Sequence, residues 1–253
     1  MKDNVSRENR KALPKFFLII VASAICGGMM GFLAGFAGHA GLAEAAAQGV
    51  NDFLRTISPW AIPVLTVVLM GAGLRLYFNA KRSFEGWDGE DDAAMDQADR
   101  TLSWCLLLST LLLIFDFFFL AVSTSGVFQS GDLSPICIVA AFLLSCALVT
   151  IFQQKIVDLT KRMNPEKHGS VYDMKFHKKW FESCDEAERR QIGQAAYKAF
   201  RVTGTACIFI WLALVIGNMV FDFGLVPIFV SLLIWGFLQI SYTLECIRLD
   251  KRK

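Results

Sequence analysis

Six long apolar runs, separated by short charged segments, constrain this chain more than any other feature. They are Phe16 to Gly38, Ser58 to Ala80, Leu102 to Val122, Leu133 to Phe152, Val202 to Phe221 and Phe223 to Leu244. A helix needs roughly 20 apolar residues to cross a hydrocarbon core of about 30 Å. Inside lipid the backbone must satisfy its own hydrogen bonds, so such runs read as helices. Only Arg75 and Asp116 interrupt them with charge. A soluble helical protein of 253 residues could be 55% hydrophobic. It would not sort its charges so cleanly between bilayer-length runs. The expected fold is therefore all-α, a polytopic membrane bundle. Six transmembrane helices form three hairpins within a single integral membrane domain, 1–253. The loops on the basic side are 81–101 and 153–201, the second one helical.

The net charge of +2 conceals a strong asymmetry. Of the 25 Lys and Arg, 23 fall before the first run, between the second and third, between the fourth and fifth, or after the sixth. The opposite loops hold Arg55, and Arg75 lies near the basic end of the second run, where a long side chain can snorkel to the interface. The positive-inside rule then places both termini in the cytoplasm. A cleavable signal peptide competes for the first run, since the Ala-rich stretch Leu42 to Gln48 offers small residues for cleavage. That run is, however, longer than an ordinary signal core. A lipoprotein signal at Cys26 is disfavoured by Ile25, where a small residue belongs. The seven cysteines show no CxxC or Cys/His spacing, and five lie in apolar runs, where cysteine behaves as a small apolar residue.

The runs also hint at an internal repeat. Asp52, Asp132 and Asp222 each stand 29 residues before a Lys-Arg pair, Lys81-Arg82, Lys161-Arg162 and Lys251-Arg252. Pro59, Pro135 and Pro227 follow the acids and suit first helical turns. The intervening residues match poorly, and any helix crossing in this direction attracts the same punctuation. The two segments on the basic side carry opposite charge. Residues 81–100 hold seven acids against three bases, and 153–203 hold eleven bases against seven acids. Docking of one on the other is one reading, and two solvated surfaces is the other.

Asp116 is the most informative single residue. It lies fourteen residues into the third run, roughly 21 Å along a helix. An acid at that depth needs a partner, a proton or water, and such residues default to a functional hypothesis. Arg75, Asn218 and Asp222 are its candidate companions in a polar site. Gly27, Gly31 and Gly35 form a GxxxGxxxG ladder suited to close helix packing. Trp60, Trp104 and Tyr242 lie near run ends and read as interfacial anchors. In the large basic segment Asn164-Pro165 favours a turn. Ser183 and Glu186 have capping-box spacing, which predicts a helix from Cys184 into the fifth crossing. The aromatics Tyr172, Phe176, Trp180 and Phe181 are expected to find a surface to bury against. Asn164, Pro165, Glu166, Lys179, Trp180, Ser183, Asp185 and Glu186 are together the candidate partner surface. No catalytic, cofactor or metal motif is present: neither P-loop, GxGxxG, HExxH nor nucleophile elbow occurs. His168, His177 and Cys184 share a segment without any standard metal spacing. Its bases suit anionic lipid headgroups, and nothing in it resembles a nucleic-acid motif.

The same segment carries a resemblance. Lys155-Ile-Val-Asp-Leu, Asn164-Pro-Glu-Lys167, Gly169-Ser-Val-Tyr-Asp173, Phe176, Lys179-Trp180 and Ser183-Cys-Asp-Glu-Ala-Glu188 form a specific polar string. Ala196-Tyr-Lys-Ala-Phe200 and Ser241-Tyr-Thr-Leu-Glu-Cys246 extend the likeness over nearly the whole chain. It resembles a bacterial membrane-protein family, mostly of Firmicutes, catalogued as domain of unknown function 3169. The resemblance implies a bacterial cytoplasmic membrane and brings no activity, so no functional residue is carried over. The leading expectation is a non-catalytic membrane protein, either a small transporter or export component or the membrane partner of another protein. An ABC exporter permease is disfavoured: the chain lacks an ATPase motif, and the loop between its last two runs is too short for re-entrant helices. Two other classes compete: an immunity or stress-response protein, and an intramembrane enzyme using Asp116 with Asp222.

Overall fold

A computed structural model describes residues 18, 21, 25, 28, 29, 32, 42–87, 92–124 and 134–250. The chain is an all-α, membrane-type helix bundle. Its helices are α1 (Leu42–Glu85), α2 (Asp92–Thr124), α3 (Ser134–Met163), α4 (Phe176–Glu182), α5 (Glu186–Phe221) and α6 (Val226–Asp250). Five of them are long and apolar enough to cross a membrane. The six described positions of the first run are also helical. The ladder Gly27, Gly31 and Gly35 lies outside the described residues, as do Asp132 and the Lys251-Arg252 pair.

The helices outrun the apolar runs that seed them. α1 begins at Leu42, because Leu42-Ala-Glu-Ala-Ala-Ala-Gln48 is built from strong helix formers. Asp52 is therefore inside a helix rather than at its start. Pro59 is interior too, as is Pro63, which corrects the expected place of Pro59 in a first turn. Pro59 removes the N–H that would bond the Arg55 carbonyl. The Ser58 hydroxyl donates to that carbonyl instead, at 3.1 Å. Pro135 and Pro227 do sit in first turns, as second residues of α3 and α6. The proline half of the shared start signal thus holds for α3 and α6 and not for α1. At the basic ends, α1 continues to Glu85 and α2 starts at Asp92, so most of segment 81–101 is helix.

The chain divides into two compact units, Asn51–Ile192 and Met1–Val50 with Gly193–Lys253. In the first unit, α1, α2 and α3 pack through two apolar clusters. One joins Ala80, Leu102, Cys105, Phe152 and Ile156 towards the basic helix ends. The other joins Ile62, Phe119 and Ile138 towards the opposite ends. Gly73 lets the backbone of α1 approach its neighbours. A Cβ there would meet the Phe152 ring at 3.1 Å, and the Cys105 thiol donates to the Gly73 carbonyl at 3.4 Å.

In the second unit, Gly204 and Cys207 on α5 and Ser231 on α6 are buried, and α5 meets α6 at Gly204, where a Cβ would stand 3.5 Å from the Gln239 side chain. Phe200 and Tyr242 stack at 4.2 Å. Large apolar side chains such as Phe209, Met219, Phe229, Ile234 and Phe237 stay exposed, as lipid-facing side chains do. α5 ends on Asp222, whose φ of 45° is left-handed and whose N–H bonds the Asn218 carbonyl at 3.0 Å. Gly224, also at positive φ, completes the turn into α6.

Candidate functional site

Asp116 lies between the two apolar clusters of the 51–192 unit and is 0% exposed. Ser145 of α3 donates its hydroxyl to Asp116 Oδ2 at 2.5 Å. Thr66 of α1 stands 2.9 Å from Ser145 Oγ and 2.8 Å from the Ile62 carbonyl, so one proton serves a side-chain and a backbone acceptor. Three helices are thereby tied at one level by a carboxylate and two hydroxyls. Among the described residues, Asp116 Oδ1 is buried without a hydrogen-bond partner. Nearer the basic ends, Gln153 donates to Ser109 Oγ at 3.0 Å, a second polar bridge between α2 and α3.

Of the companions expected for Asp116, one belongs to the same unit and two to the other. Arg75 is exposed on α1. Asp222 is an exposed turn residue of the other unit, where its backbone ends α5. Asn218 belongs to that unit as well, with its Oδ1 buried and unpartnered. Ser145 and Thr66 were missed because a hydroxyl in an apolar helix ordinarily bonds its own preceding turn. Their one signal was position: Ser145 lies opposite Asp116 once α2 and α3 pair as a hairpin.

The second site is the connection from α3 to α5. Gln154 of α3 organises it: its Oε1 accepts from the Ser170 hydroxyl at 2.9 Å and from the Val171 N–H at 2.7 Å. Lys161 donates to the Gly169 carbonyl at 2.9 Å. Gly169 has a φ of 133°, and a Cβ there would stand 2.9 Å from the Phe176 ring. Asp173 takes an ion pair from Lys179, which holds its carboxyl below the ordinary range. Phe176 and Trp180 lie 5.6 Å apart and half-buried. Tyr172 and Phe181 are exposed, contrary to the expected burial. Phe181 instead lies beneath the Arg189 guanidinium, which reaches over from α5.

Lys167 is the least expected member. Its side chain is only 4% exposed, with its ammonium on the Glu188 carboxylate and 3.6 Å from Cys184 Sγ. Burial pulls its pKa down, but the bond and charge of Glu188 more than compensate, and the pKa stands above the ordinary lysine value. Glu188 also closes a capping box. Its carboxylate accepts from the Asp185 N–H at 3.0 Å, and the Glu188 N–H donates to Asp185 Oδ1 at 2.7 Å. This corrects the Ser183/Glu186 box: α5 starts at Glu186, two residues later, because Asp185 supplies the cap and Ser183 is otherwise engaged. Ser183 Oγ donates to the Trp180 carbonyl and accepts from the His168 N–H.

Beside this pair lies a cleft of about 300 Å³, bordered by Asp99, Asn164, Lys167, Trp180, Glu188 and Gln191. Asp99 of the first basic-side segment lines the same cleft and is hydrogen-bonded to the Asn164 side chain. Of the candidate partner surface, Asn164 and Trp180 line this cleft, and Ser183 is half-buried. Pro165, Glu166, Lys179, Asp185 and Glu186 are exposed. A family described as a protein of unknown function, DUF3169, matches residues 10–246. The chain belongs to that family. No curated protein and no solved structure matches it. The matched span covers both the Asp116 tie and the Lys167 clamp, so this family member carries the two sites within its shared region. Among the described residues, no three His, Cys, Asp or Glu side chains gather as metal ligands.

Proposed function

We propose that this family member is a non-catalytic membrane partner protein. Its six crossings, arranged as three hairpins, hold segment 164–185 at the cytoplasmic face of a bacterial cell membrane as a docking surface for a second protein. The observation that carries this reading is the construction of that segment. A flexible tether would not need a buried lysine, a glutamine bridge to two backbone positions and a reciprocal cap. Glu166, Asp185 and Glu186 are exposed acids that neighbour in sequence the cleft residues Lys167, Cys184 and Glu188, and Asp99 adds a further acid to the cleft. The partner element is therefore a basic segment. Both termini lie on the same side, following the lysine and arginine distribution.

Photo-crosslinkers placed at Glu166 and Glu186 in living cells test the reading. The expected result is one discrete protein adduct from both positions, lost on Asp185→Lys and absent from a crosslinker at Leu225. Adducts that survive Asp185→Lys, or that appear equally from Leu225, would overturn it.

A second reading, a small transporter, draws on one observation, the unpartnered Oδ1 of Asp116. An intramembrane acid with an open acceptor suits a polar pathway. Asp116→Asn would then abolish a transport phenotype while leaving the crosslinks at Glu186 intact.

A further inference from the structure

Trp180 separates the polar cleft from a second and larger one. That groove holds about 630 Å³, within the range of small-molecule sites. Its walls include Leu106 and Thr110 of α2, Ile156 and Val157 of α3, and Met174 of the connecting segment. Leu106 and Thr110 lie four and eight residues inside the apolar run that begins at Leu102, roughly 6 and 12 Å along the helix. Ile156 and Val157 lie just beyond Phe152, where the apolar run of α3 ends. The groove therefore straddles the boundary between hydrocarbon and headgroups.

The segment over this boundary is unlike a soluble loop. Met174 is 100% exposed and Tyr172 64% exposed, while Lys175 and Lys178 flank them, also exposed. His177 lines the groove itself. Asp173, the one acid on its wall, is occupied by Lys179. Exposed apolar tips beside exposed lysines, of which Lys178 lies 3.7 Å from the equally exposed Glu182, are what an interfacial segment presents to anionic lipid. We infer that the groove is a phospholipid site. It takes an acyl chain of an anionic phospholipid from the leaflet on the basic side, and the headgroup meets His177, Lys175 and Lys178. The inference rests on the boundary drawn by the apolar runs and is independent of the protein-partner reading.

Native mass spectrometry of the full chain in neutral detergent tests it, with phosphatidylglycerol and phosphatidylcholine of identical acyl chains as probes. The expected result is one retained phosphatidylglycerol, preferred roughly tenfold over phosphatidylcholine. The exposed pair Lys175→Gln and Lys178→Gln, which disturbs no buried contact, removes the preference but leaves weak binding of both lipids. Leu106→Trp, which fills the groove from a partly exposed position, removes both. Glycerol 3-phosphate, a headgroup without a tail, displaces neither. Equal retention of the two lipids by the wild type, or retention unchanged in Leu106→Trp, would overturn the inference.

Discussion

At the residue scale, buried polar groups do the specifying, and their partners decide what each is worth. Asp116 has one donor, Ser145, and the Ser145 hydroxyl has Thr66 behind it. Removing Ser145 leaves a buried acid without a partner, whereas removing Thr66 leaves Ser145 its bond to the acid. Ser145→Ala is expected to cost about 1–3 kcal/mol. Thr66→Val is expected to cost about 0.6 kcal/mol, the ordinary value of a hydrogen bond between membrane helices. Thermal unfolding in detergent checks the order, and equal losses would remove Asp116 from the account. Lys167 gives a pH dependence with a definite sign. Its folded pKa is raised by Glu188, so its contribution is fully present below the ordinary lysine value of about 10.4 and is lost as pH rises through the higher folded value. Lys167→Met should therefore lower stability equally at pH 7 and pH 9, by about 1–3 kcal/mol. The difference from wild type should shrink only in stronger alkali. A difference that vanished between pH 7 and pH 9 would contradict the pairing.

At the element scale, the glycines of α1 separate packing from mere composition. Gly71 and Gly73 lie on one helix two residues apart. Among the described residues, a Cβ on Gly71 meets nothing within 4 Å, while one on Gly73 meets the Phe152 ring. Gly73→Leu is expected to unfold the 51–192 unit or lower its melting temperature sharply. Gly71→Leu should fold, because its side chain points into open space. Comparable yields and melting temperatures for the two would show that α1 does not pack through Gly73. Here lies the limit of what was legible in the sequence. Bilayer-length runs need only local hydropathy to be seen, so the five long helices were readable, and so was the continuity of the 186–221 helix into a crossing. Helix ends were not, since the Ala-rich start of α1 and the charged start of α2 obey helix propensity rather than hydropathy. Site partners were hidden for a different reason. Ser145, Thr66 and Gln154 are ordinary residues until the packing of α1, α2 and α3 brings them to Asp116 or to the 164–185 segment, and Lys167 is one until that segment folds onto Glu188. The Ser183/Glu186 and Asp185/Glu188 pairs share one spacing, and only the engagement of Ser183 with Trp180 and His168 decides between them.

At the scale of the whole molecule, each unit exposes apolar helix faces that only lipid or another membrane helix would cover. The polar construction is concentrated at Asp116 and at the 164–185 connection. The proposed role depends on that connection standing folded on the cytoplasmic side. Side-specific thiol labelling of Tyr172→Cys tests this most directly, using a membrane-impermeant maleimide on intact cells and on inverted vesicles, with the parent chain as the background for its own cysteines. Tyr172 is exposed, so the account predicts prompt labelling in inverted vesicles and none in intact cells. Labelling of Tyr172→Cys in intact cells would place the segment on the opposite face and contradict the account.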